Sequence, residues 1–199
     1  HQPSFSDIDI AVYGLENTLK VRDILLEEFR RGGSDIQPPQ GEESERILQH
    51  WARNYGLSFA EVGWFAKRKW NRGFFRGRPF SLLPVHHPSE ISEKYGNKIY
   101  SPEGIVEGEA RITDAEDSFF LPCTYGLESV RINPTASDVE EIASYDGFYS
   151  GIFQISDAIR FRGKLERVFE KGSGRQARRI LMGSPEARGL DYIRPRLMR

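Results

Sequence analysis

The sequence predicts an α+β protein: a mixed sheet with helices over residues 1–97, then a small antiparallel β-barrel or sandwich over 98–199, of which an OB-like barrel is one form. Three observations carry this. An alternating stretch, Ser6-Asp7-Ile8-Asp9-Ile10-Ala11-Val12-Tyr13-Gly14, runs directly into a helical pattern. Helical periodicity then dominates up to about residue 70. From about Lys98 the segments turn short, β-rich and punctuated by turn residues.

In the opening stretch, side chains alternate across the strand, so Asp7 and Asp9 share one face while Ile8, Ile10 and Val12 point to the core. Val21, Ile24, Leu25 and Phe29 then fall on one helical face, and Gly32-Gly33 ends a helix over 15–31. A connector with Pro38-Pro39 leads to a second helix over 42–55. Ser58-Phe59-Ala60-Glu61 fits a capping box, opening a third helix toward Trp70. Positions 80–85 read as a strand, and His86-His87 as a loop, because adjacent residues on an extended chain point apart and cannot share a metal ion.

In the C-terminal half, strands are expected over 99–100, 105–113, 119–125, 139–145, 158–169, 175–182 and 190–193. Ser101-Pro102-Glu103-Gly104, Asp146-Gly147 and Gly172-Ser173-Gly174 stand between them as turn signals. Ile159, Phe161, Gly163 and Leu165 alternate with Arg160, Arg162, Lys164 and Glu166, which predicts one buried and one cationic face.

The chain of 199 residues is nearly neutral, with 28 basic and 29 acidic side chains. Residues 158–199 nevertheless hold twelve Lys or Arg against four acids, a net of +8 that leaves −9 on the remainder. Such a split suits a nucleic-acid face, and equally two parts of a chain attracting one another. Arg160, Arg162 and Lys164 are the candidate nucleic-acid contacts. A second basic run, Lys67, Arg68, Lys69, Arg72, Arg76 and Arg78, is interleaved with aromatics and free of acids from 62 to 89. Arg76 and Arg78, flanking Gly77, are the preferred phosphate contacts there, with Lys67 or Lys69 in support. The lone Cys123 excludes a disulfide framework and reads as core, so a cytoplasmic protein without a membrane span is expected. Walker A, Rossmann, zinc-ribbon and serine-hydrolase motifs are absent from the sequence.

The Ser-Asp-Ile-Asp stretch, with its apolar strand and closing glycine, resembles the signature of the polymerase-β-like nucleotidyltransferases, the minimal nucleotidyltransferase group in particular. The resemblance covers about nine residues. It implies that Asp7 and Asp9 are catalytic and bind Mg²⁺, with Ser6, Arg76 and Arg78 contacting a nucleoside triphosphate. It also implies a Gly-Ser pair upstream, which would lie before His1, so the expectation is of an N-terminally incomplete chain. The family's third carboxylate comes from a later strand. The 80–85 segment has none, leaving Asp35, Glu107 or Glu109 as replacements. Two functions follow: transfer of an NMP from an NTP to an unidentified acceptor, or an inactive nucleotidyltransferase-like scaffold that binds nucleic acid.

Overall fold

β1 (Ile8–Tyr13) forms where the alternation predicts it, with Val12 buried and Asp9 exposed, but Ile8 is only half-buried and Ile10, expected in the core, is 44% exposed. The computed structural model describes residues 7–91, 96–133, 138–187 and 189–197, divided into two units, His1–Glu90 and Ile91–Arg199. In the first unit α1 (Leu15–Arg31) follows β1 and buries Thr18 and Leu25. No side chain from its N-cap position serves the helix start. Glu90 does so instead: its Oε1 accepts the Leu15 N–H at 2.9 Å, and its Oε2 accepts the His87 N–H at 3.0 Å.

A short β2 (Ile36–Gln37) lies within the connector, followed by α2 (Gly41–Asn54) and α3 (Phe59–Ala66). The capping box forms as expected, with the Glu61 N–H donating to Ser58 Oγ and the Ser58 N–H to the Glu61 carboxylate. The expected extension of α3 to Trp70 is corrected. The Arg68 and Lys69 N–H groups both turn back to the Phe65 carbonyl at 3.0 Å, and Trp70 leaves the helix to be fully buried.

The basic-aromatic run then makes a strand, β3 (Arg72–Phe75), paired with β4 (Arg78–Val85). Arg76 and Gly77 both take positive φ, 49° and 76°, which is the two-residue hairpin turn of the primed type. Gly77 thus serves the turn. The sheet order is β1-β4-β3-β2, with β1 and β4 parallel and the other two pairings antiparallel.

The second unit contains β5 (Lys98–Asp114), β6 (Cys123–Asn133), β7 (Val139–Ser144), β8 (Ala158–Glu170), β9 (Gln176–Met182) and β10 (Tyr192–Pro195). The first five close a ring, β5-β6-β7-β9-β8, and β10 adds to β8. The β-barrel is as expected and has OB-like strand order, but it is mixed rather than wholly antiparallel, because β7 and β9 run parallel. Two local expectations are also corrected. Ser101-Pro102-Glu103-Gly104 is not a turn but a bulge within β5, where the missing Pro102 N–H is tolerated. Phe119 lies in a 3₁₀ turn, and β6 instead continues eight residues beyond Tyr125.

The barrel interior is built from Ile112, Tyr125, Ile142, Ile159, Phe161 and Ile180, all at most 1% exposed. Gly108 is demanded by close approach: a Cβ there would stand 2.4 Å from the Arg131 carbonyl and 2.7 Å from Phe161. Tyr125 donates to the Tyr149 carbonyl and accepts the Ile152 N–H at 3.0 Å, so its hydroxyl is satisfied although burial pushes the phenol far up. Among the described residues no helix is long and apolar enough to cross a membrane.

Glu166, 4% exposed, accepts from Arg179 at 2.9 Å and Lys164 at 3.0 Å. Glu166→Leu leaves two cations facing one another and should cost about 3 kcal/mol or more. Arg179→Leu should cost less, because Lys164 still compensates Glu166. Urea unfolding of both variants checks this order, and a smaller loss in Glu166→Leu contradicts it.

Glu90 gives a second prediction. The Leu15 and His87 N–H groups hold its carboxyl below the ordinary value of 4.5. A depressed pKa stabilises the fold fully above 4.5 and loses that contribution as pH falls through the folded pKa. Glu90→Gln should therefore lower Tm at neutral pH, and the gap to wild type should narrow progressively as pH falls below 4.5. A gap independent of pH in thermal melts contradicts it.

Candidate functional site

The site is built on the exposed face of β1. Asp9 is exposed there, and Asp7, which immediately precedes the strand two residues away, is exposed as well, as the alternation expects. The parallel register pairs Asp9 with Ser81, and Ser81 Oγ donates to Asp9 Oδ1 at 2.5 Å. β3 continues the row, since Arg72 pairs with Ser81. Paired residues share a face, so Asp9, Ser81 and Arg72 form one line across three strands, with Arg72 about 10 Å from Asp9 at the backbone. Phe80 and Gly73 lie on the opposite, helix-covered side.

β4 is the strand directly beside β1, and the residue in register with Asp9 is Ser81, not a carboxylate. Of the three proposed replacements, Asp35 immediately precedes β2 at the opposite edge of the sheet and is held by Arg76 at 2.8 Å. Glu107 and Glu109 belong to the barrel unit, paired with Arg162 at 3.1 Å and Arg196 at 3.0 Å. Among the described residues no group of three His, Cys, Asp or Glu is placed to hold a metal.

Ser6 lies outside the described residues. Arg76 sits on the β3–β4 turn, its guanidinium bonded to Asp35 and lying 5.3 Å over the Phe75 ring. The Asp35 carboxylate pushes its pKa up further. Arg78 opens β4 three residues before Ser81, at the same end of the strand pair as Asp7. Arg72 and Ser81 are what sequence reasoning passed over. Arg72 was visible in the basic run, but only the hairpin register reveals which of its cations shares the aspartate face.

Arg160, Arg162 and Lys164 lie on β8 as the alternation requires. Arg160 is exposed; Arg162 is paired with Glu107, and Lys164 lies in the network with Glu166 and Glu186. Several other cations of the basic tail are matched similarly. Arg167 and Arg178 share Glu103, Arg175 holds Glu140, and Arg196 holds Glu109. Arg179 in addition lies 3.7 Å over the Tyr100 ring. The charge split along the sequence is thus largely folded into pairing between barrel strands.

Two exposed carboxylates on one strand are hard oxygen donors. They fit Mg²⁺, which is commonly bound by one or two carboxylates together with substrate phosphates rather than by a full protein cage. No family model and no solved structure matches the chain. An uncharacterized protein of Methanocaldococcus jannaschii is 30% identical over 189 residues, 95% of this chain and 54% of that relative. The chain therefore spans about half the length of the curated relative it matches.

Proposed function

We propose that the first unit is a nucleotidyltransferase-type module of the polymerase-β-like kind, which binds a nucleoside triphosphate with Mg²⁺ and passes the NMP to an acceptor hydroxyl. The observation that carries this is the row Asp9–Ser81–Arg72 beside Asp7, which offers anionic oxygens for a metal and a cation for phosphate on one exposed face. Asp7 and Asp9 would hold Mg²⁺, which when bound neutralises triphosphate charge and polarises the α-phosphoryl group. Ser81 orients the Asp9 carboxylate. Arg72 faces the phosphates, in the part first given to Arg76, with Arg78 at the strand entrance. In the transfer itself the acceptor oxygen bonds to the α-phosphorus, the bond to the β-phosphate breaks, pyrophosphate leaves and the hydroxyl proton passes to water. The buried thiol of Cys123, outside any disulfide, is in keeping with a cytoplasmic setting.

Ser81 also favours a second reading, nucleotide binding without transfer, because it stands where a third carboxylate would activate the acceptor. The nucleic-acid limb of that reading rests on Arg160 and its neighbours. The barrel's ion pairs predict a shallow salt dependence for it, since cations already paired release few phosphate counterions.

Pyrophosphate release and NMP transfer, measured with each NTP and Mg²⁺, separate the readings. Asp9→Asn should lower turnover by about 100-fold or more. Arg72→Gln should weaken nucleotide binding about tenfold, and Arg76→Gln by about twofold or less. Equal turnover in Asp9→Asn sinks the transfer reading. Binding without turnover in wild type, with turnover appearing in Ser81→Asp, establishes the second.

A further inference from the structure

We infer a second ligand site in the first unit, on the helix side of the sheet: a pocket for a small organic anion with a flat apolar body, such as an aromatic phosphate monoester. It does not rest on the reading of the aspartate face. A cavity of about 270 Å³ lies between α1, α2 and the segment that leaves α3. Phe29, Leu48 and Trp51 form its walls, and Pro38 and Pro39 close one side.

These apolar walls are open. α2 carries its apolar stripe of Ile47, Leu48 and Trp51 toward the cavity, yet none of the described side chains of α2 is fully buried. Exposed apolar surface gathered in a concavity gains free energy when a ligand displaces water from it. The floor is also set closely. Phe29 lies against Gly73, where a Cβ would stand 2.9 Å from the Phe29 ring, so the ring is seated on the sheet.

The charge described around the cavity has one sign. Among the described residues Arg30, Lys67 and Lys69 bring three cations to it, and no Asp or Glu lines it. Lys67 and Lys69 both come from the short segment where the chain turns out of α3, so one stretch of backbone brings two cations to the cavity. An apolar wall beside a cationic rim selects a ligand with an apolar face and an anionic end, because either part alone satisfies only half of the lining. The volume sits just below the ~300–1,000 Å³ of drug-sized ligand pockets, which limits the occupant to one ring system with its phosphate.

Calorimetric titration in EDTA with phenyl phosphate, inorganic phosphate and benzyl alcohol tests this. Phenyl phosphate should bind one to one, at least about tenfold tighter than either of the others. The Lys67→Gln/Lys69→Gln double variant should keep its Tm and bind phenyl phosphate about tenfold more weakly. Asp9→Asn should bind it as wild type does. Phenyl phosphate binding no tighter than either part, or equally well to the double variant, overturns the proposal. Loss of binding in Asp9→Asn also overturns it, by placing the anion on the aspartate face.

Discussion

The parallel pairing of β1 with β4 is the constraint on which the first unit depends. It sets Ile8 against Phe80, Asp9 against Ser81 and Val12 against Pro84, and the Gly14 N–H closes the far end on the Val85 carbonyl at 2.8 Å. A slip of one residue would turn every side chain of β1 over, carrying both aspartates to the apolar side and Val12 to solvent. Burying carboxylates is far costlier than exposing a valine, so the aspartates themselves help to hold the register. Parallel neighbours also need a long crossover, and everything from α1 to β3 is that connection.

In the second unit the corresponding constraint is electrostatic. β8 and β9 bring a dense set of cations, and β5 brings Glu103, Glu107 and Glu109 alongside. The deepest of these contacts, Glu166 with Arg179 and Lys164, has to be complete, because a single charge left alone in that environment carries the full desolvation penalty. The pairs nearer the rim add little stability individually. They do fix which strand lies beside which, since displaced strands would set like charges opposite one another.

Much of this fold was legible from the chain alone. The β1–α1 unit, the Ser58–Glu61 capping box and the alternation of 158–165 are local patterns, and each appears where its residues require. What failed to read depended on pairing partners. The Arg72–Phe75 strand is too short and too basic to announce itself, and exists because a two-residue turn at Arg76-Gly77 folds it onto β4. The Ser101–Gly104 run carries every mark of a turn, yet pairing with β8 on both sides pulls it straight and leaves a bulge. The site followed the same division. Asp7 and Asp9 were found by alternation, whereas Arg72 and Ser81 join them only through register across two neighbouring strands.

The aspartate pair is also less strained than its charges suggest. Two exposed carboxylates about 7 Å apart repel by only ~0.6 kcal/mol in water. The sheet can therefore present them without a resident cation, and the Ser81 hydroxyl is sufficient to order Asp9. In the nucleotidyltransferase reading, two carboxylates are few ligands for Mg²⁺, and most of the affinity must come from the phosphate oxygens that share it. Metal and nucleotide would then bind as one unit, with Arg72 on the phosphate side of it. A third carboxylate at position 81 would raise the metal's affinity in the absence of nucleotide. In that reading serine at this position would leave the face dependent on its nucleotide, and the proposed chemistry would turn on one side chain of β4.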